Sequence, residues 1–173
     1  MAEETALARR YRLEIDLGTD ATPTWTLVPG VQEFTPKVDP TQQDSTDYEA
    51  GGWKRNTVTA LAWSVEATLM HRYDPTAQVF NAAHEALKTA AKSFGAASKV
   101  HVRYYDRDGL PDAHEGYALV TWEPDGGSDE DLDSISLTLT GDGELLDIDN
   151  PGTGGAGALT VQTLAKTTTK AAV

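Results

Sequence analysis

Apolar and polar residues alternate from Tyr11 to Leu17, with Tyr11, Leu13, Ile15 and Leu17 on one side and Arg12, Glu14 and Asp16 on the other. A period of two marks a half-buried strand, and Gly18-Thr19-Asp20 ends it. Shorter strands are expected at 24–28, stopped by Pro29-Gly30, and at 31–38, where Pro36 points to an edge or a bend. The alternation then lapses. Residues 39–56 are predicted to form one long polar loop, and loops beyond about 12–15 residues in compact domains are usually functional or disordered.

The strongest strand signal runs from Thr57 to His71, with Leu61, Trp63, Val65, Ala67 and Leu69 on a core face and Ala62, Ser64, Glu66 and Thr68 on the other. The spacing after it predicts a single helix over about 75–94, with Asp74 as N-cap, Pro75 in the first turn and Gly95 as the stop. Its apolar stripe is Val79, Ala83, Ala86, Leu87, Ala90, Ala91 and Phe94, which leaves Lys88 and Lys92 facing away. Val100, Val102 and Tyr104 alternate next, and after a turn at Asp106-Arg107-Asp108-Gly109 the partner strand 117–122 completes a hairpin. An acidic stretch from Glu123 to Asp133 reads as an exposed loop. Ile135, Leu137 and Leu139 alternate with Ser134, Ser136, Thr138 and Thr140 in a last strand. The expected organisation is an N-terminal arm (1–10), a mainly β domain (11–148) and a Gly-, Ala- and Thr-rich C-terminal arm (149–173), in which Leu159, Val161 and Leu164 offer docking points.

The 173 residues suffice for one domain with a core that needs no staple, and cysteine is absent, which removes thiol catalysis and Cys-ligated metals. With 14 Lys and Arg against 27 Asp and Glu, the formal charge is −13. That sign opposes tight nucleic-acid binding, since phosphates are neutralised by clustered cations. Passage of nucleic acid without binding stays open. No apolar run approaches the roughly 20 residues of a membrane span, and the N-terminus lacks the apolar core of a secretion signal. The expectation is a soluble protein held in the cytosol until it assembles.

Catalytic and metal motifs are weak. His71, His84, His101 and His114 fall on separate predicted elements, no Gly-x-Ser-x-Gly elbow occurs, and no phosphate-cradling loop is present. Asp106, Asp108, Asp112 and Glu115 resemble a fragment of a calcium loop, but they join two strands rather than two helices. No enzyme and no cofactor are expected. Trp53 stands out in the polar stretch: it either folds back on its own domain or serves as an anchor buried by a second subunit.

The order of features carries more than any motif. Leu27-Val28-Pro29-Gly30-Val31, a polar stretch ending Gly51-Gly52-Trp53, a long strand with Trp63-Ser64-Val65, one helix, a Tyr-rich hairpin and a closing Leu137-Thr138-Leu139-Thr140-Gly141-Asp142-Gly143 together resemble the major tail tube protein of long-tailed, non-contractile bacteriophages. The resemblance spans roughly 11–146. It implies a β-sandwich or barrel-like fold with a flanking helix, closing into hexameric rings that stack as the tube through which DNA leaves the capsid. The implied location is the virion tail, after synthesis in the host bacterial cytoplasm. The implied partners are further copies of the chain, a tape measure protein and tail terminator or distal tail proteins, with double-stranded DNA passing without specific binding and no membrane contact.

In that frame the ring-stacking loop would use Asp39, Gln42, Asp44, Tyr48, Trp53, Lys54 and Arg55. The lumen would be lined by Ser64, Glu66 and Thr68 or by Ser134, Ser136 and Thr138. The residues alone leave a second class open, a monomeric β-sandwich binding module directed at calcium or carbohydrate.

Overall fold

The computed structural model describes residues 5, 8–19 and 21–153. Leu159, Val161 and Leu164 lie outside the described residues, as does most of each expected arm. The strands are β1 (Tyr11–Asp16), β2 (Trp25–Leu27), β3 (Val31–Asp44), β4 (Asn56–Met70), β5 (Tyr73–Asp74), β6 (Val79–Phe80), β7 (Lys99–Asp106), β8 (Ala113–Pro124), β9 (Ser134–Gly141) and β10 (Leu146–Asp147), with one helix, α1 (Ala82–Ala91). The main sheet is antiparallel, in the order β2-β1-β7-β8-β9-β4-β3, with β10 added on β8. β3 is an edge strand, which is where Pro36 and Pro40 can forgo a ladder hydrogen bond.

The sheet is rolled. Tyr11 on β1 and Phe34 on β3, far apart in strand order, bring their ring centroids to 5.1 Å, and Phe34 lies 5.4 Å from Tyr104. The concave side holds the core, in which Leu13, Ile15, Val65, Leu69, Leu137 and Leu139 are fully or almost fully buried. α1 packs mainly on β8 and closes the core with Ala83, Leu87 and Ala90.

Three sequence expectations are corrected. The helix begins at Ala82 rather than 75, capped by the Asn81 side chain accepting from the Ala83 N–H at 2.9 Å. Asp74-Pro75 instead turns the β5–β6 hairpin, with Asp74 Oδ1 accepting from the Thr76 and Ala77 N–H groups. The same side-chain bond that caps a helix also closes an Asx turn, so this dipeptide reads either way. Val79 therefore sits in β6 and Phe94 lies beyond the helix, both exposed.

Secondly, the loop is shorter than 39–56 and spans only 45–55. β3 continues to Asp44 and β4 starts at Asn56, so the chain pairs with itself nearly to the tip. Thirdly, Leu61 is 70% exposed rather than core, because β9 pairs with β4 only from Ser64 onward.

Candidate functional site

Two surfaces remain once the core is closed: a projecting arm and a polar sheet face. From Trp63 back to Asn56, β4 pairs among the described residues with β3 alone, so a two-stranded ribbon extends about 25 Å beyond the sheet. A register shift between Thr41 and Gln42 adds local twist. The tip is built rather than slack: the Ser45 N–H donates to the Arg55 carbonyl at 2.8 Å, the Arg55 N–H to Thr46 Oγ1 at 3.0 Å, and the Thr46 N–H to Asp44 Oδ1 at 2.8 Å. The Thr46 side chain, together with this N–H, holds the Asp44 carboxyl below its usual range. Gly51 and Gly52 take φ of 61° and 87°, a left-handed backbone that side chains resist.

The seven predicted arm residues are all on this ribbon. Asp39 pairs with Lys37 at 2.9 Å, Gln42 stands opposite Val58, and Arg55 reaches Asp47 at 3.4 Å. Tyr48 is fully exposed and Trp53 is 81% exposed, so Trp53 does not fold back onto its own domain.

The six predicted wall residues form one surface. β4 and β9 are neighbours, with Glu66 opposite Thr138, Thr68 opposite Ser136 and Met70 opposite Ser134. β3 extends the rows with Lys37 opposite Ser64, Thr35 opposite Glu66 and Glu33 opposite Thr68, and β8 extends them with Thr121 and Glu123. A shallow concavity of about 190 Å³ is lined by Glu33, Thr35, Glu66, Thr68, Ser136 and Thr138. At its end Asp125 accepts from Ser136 Oγ at 2.6 Å and Ser134 Oγ at 2.7 Å, which lowers its carboxyl pKa. Lys37 is a cation on this face that the sequence reading passed over. Its bond to Asp39 raises its pKa, with a smaller contribution from the Glu66 charge.

The same side of the sheet changes character toward β1, another feature missed. Glu14 accepts from Arg103 Nε at 2.7 Å and the Tyr105 hydroxyl at 2.8 Å, and Arg103 lies 4.2 Å from the Trp25 ring centre. The alternation of His101 with Arg103 opposite Glu14 and Asp16 was its available signal.

The calcium-like segment is internally consumed. Asp106 is fully buried and accepts from Arg10 Nη1 at 2.8 Å and the Asp108 N–H at 2.7 Å, while Asp112 accepts from Arg10 Nη2 at 2.6 Å and the Tyr11 hydroxyl at 2.9 Å. Burial pushes the Asp106 carboxyl up, but Arg10 and the N–H donors outweigh it and its pKa is lowered. His71 and His84 come together, with ring centroids 5.7 Å apart, which their spacing did not reveal. Among the described residues no group of three His, Asp or Glu could hold a metal ion, and no helix is long and apolar enough to cross a membrane.

This antiparallel sheet with one flanking helix is a fold the chain shares with solved tail tube structures. In particular, the chain matches the SPP1 tail tube with a TM-score of 0.65 and 17% identity over 96% of each chain. It matches the tail of the empty gene transfer agent particle, refined with C6 symmetry, with a TM-score of 0.62 and 13% identity over 83% of this chain and 99% of that one. A baseplate chain of the anti-feeding prophage gives 0.52 and 10%, covering 84% and 97%. No family model and no curated protein matches the chain. At these identities the likeness is one of fold.

Proposed function

We propose that the chain is a structural subunit of a phage-type tail tube, closing into hexameric rings that stack into a conduit for DNA. The observation that carries this is the arm. A ribbon of paired backbone projecting beyond the sheet, tipped by an uncovered Tyr48 and Trp53, has no function within one subunit. Aromatic side chains of this kind are the usual anchors of protein interfaces. Sixfold closure follows the tail assemblies that share the fold. In this reading the arm joins one ring to the next, and the face around Ser64, Glu66, Thr68, Ser134, Ser136 and Thr138 lines the lumen. Tape measure and terminator proteins would complete the tail.

The test is assembly of the purified full-length chain, followed by sedimentation and negative-stain microscopy. Rings and tubes are expected, with permanent interfaces burying more than about 2,000 Å² each. Asp44 and Asn56 stand directly opposite each other, so residues 45–55 can be replaced by Asn-Gly, a two-residue hairpin turn. That truncated chain should fold and remain unpolymerised. Tubes formed by it would remove the arm from the role of connector.

A further inference from the structure

The arm needs a receptor, and the topology says where one is available. β4 runs from the arm at Asn56 to Met70, β9 starts opposite Met70, and β8 ends opposite Ile135. The β8–β9 loop (125–133) and the β5–β6 hairpin therefore lie at the end of the sheet opposite the arm. His71 bridges them: its N–H donates to the Asp133 carbonyl at 2.9 Å, and its ring stacks on Phe80 at 4.1 Å. This far end leaves Tyr73, Phe80 and Leu132 exposed, Leu132 by 72%.

Both ends are apolar, and each exposes charge that has no partner among the described residues of its own subunit. The tip carries Lys54 and Arg55 among the acids Asp44, Asp47 and Glu49, with Arg55 reaching Asp47, and the far loop carries Asp129, Glu130 and Asp131, all exposed. Asp131 is held by the Ser128 N–H and hydroxyl. Lys54, Asp129 and Glu130 have no ion-pair partner among the described residues.

We propose that the arm tip of one copy docks on the far end of a second copy, with Tyr48 and Trp53 covering Tyr73, Phe80 and Leu132, and Lys54 and Arg55 facing Asp129 and Glu130. The inference rests on the arm being the connector and adds what it connects to. A contact between different patches at opposite ends is heterologous, so each copy keeps one free end and the contact repeats along an axis. The aromatic anchors supply the affinity, and the opposed charges fix the register and speed the encounter.

The experiment is a charge exchange in the full-length chain, read as the critical concentration for tube formation. Lys54→Glu with Arg55→Glu should raise it at least about tenfold, and so should Asp129→Lys with Glu130→Lys. The four substitutions together should restore tubes. Because the chain has no cysteine, Lys54→Cys with Glu130→Cys, which spares the aromatic anchors, gives an independent readout. Oxidised tubes of this double variant should run as a ladder of covalent multimers, and each single-cysteine variant should stop at dimers. Circular dichroism confirms that every variant is folded.

A far-loop reversal without effect, or a combined variant as defective as the tip variant with no ladder, overturns the receptor assignment. The arm truncation distinguishes the two levels. If it blocks tubes while the exchange fails, the arm docks elsewhere; if it leaves tubes intact, the connector reading itself falls.

Discussion

Trp63 occupies the space that a side chain at Gly141 would need: a β-carbon there would stand 2.3 Å from the indole Nε1. The indole N–H donates to the Gly143 carbonyl at 3.0 Å, and a β-carbon on Gly116 would meet Cζ2 of the same ring at 2.8 Å. Two glycines on adjacent strands thus open a slot for the residue at which β4 leaves the sheet and becomes the arm. Gly141→Ala should overpack this slot and destabilise the subunit by about 1–3 kcal/mol. Urea denaturation followed by Trp fluorescence measures it, and an unshifted midpoint would refute the slot.

His84 is fully buried on α1, where its Nε2 bonds the Pro29 carbonyl at 2.9 Å. Burial lowers its pKa; the Pro29 bond opposes this, and the neighbouring His71 and Arg72 reinforce it while Glu85 works against it. An unfolded histidine titrates near about 6.5. Below that pH the unfolded chain takes up a proton that the folded chain refuses, so stability is full above about 6.5 and falls as the solution is acidified toward the folded value. The slope of unfolding free energy between about pH 7 and 5.5 should be positive in the native chain and reduced in His84→Gln. Equal slopes would show that His84 does not control it.

The strands β1, β7, β8 and β9, and β4 from Trp63 to Leu69, were legible because one face of each is buried, and burial imposes alternation on the sequence. The arm was not. Water reaches both faces of its ribbon, so nothing selects apolar residues at every second position, and paired backbone reads as loop. Tyr48 and Trp53 could still be singled out, since a large ring in a polar stretch is conspicuous whatever the backbone does. The wall residues were found as two separate rows. That Glu66 stands beside Thr138 and Thr35 depends on strand order, which no local pattern encodes.

The Arg10 guanidinium bridges Asp106 and Asp112 and ties the start of β1 to the β7–β8 turn. Arg10→Met leaves Asp106 charged, buried and dependent on its N–H donors, which should cost about 2–3 kcal/mol at neutral pH. The native carboxyl has a lowered pKa, so its stabilising contribution is present above about pH 3.9 and lost as pH falls through the folded value. A protonated Asp106 needs no cation. The deficit of the variant should therefore shrink on acidification toward about pH 3. Denaturation at both pH values tests this, and a deficit that stays constant would mean that Arg10 acts through packing alone.

Ser64, Glu66 and Thr68 point away from Val65, Ala67 and Leu69 because strand residues alternate sides. Their rows continue across β3, β8 and β9 mainly as hydroxyls and carboxylates, with the exposed Leu119 beside Thr140 as an apolar interruption, and the cation Lys37 is occupied by Asp39. A channel wall for DNA benefits from this composition, since each free cation engaging a phosphate adds a salt-dependent attraction along the path. Replacing Ser64, Glu66 and Thr68 by Lys should leave the core and the arm contacts untouched, so tubes should still form. DNA release from assembled particles should slow, and the slowing should deepen at low ionic strength, where phosphate contacts are strongest. Asp39→Ala frees Lys37 and should produce a weaker effect with the same salt dependence. Unchanged release kinetics in correctly assembled triple-Lys particles would place this face away from the DNA.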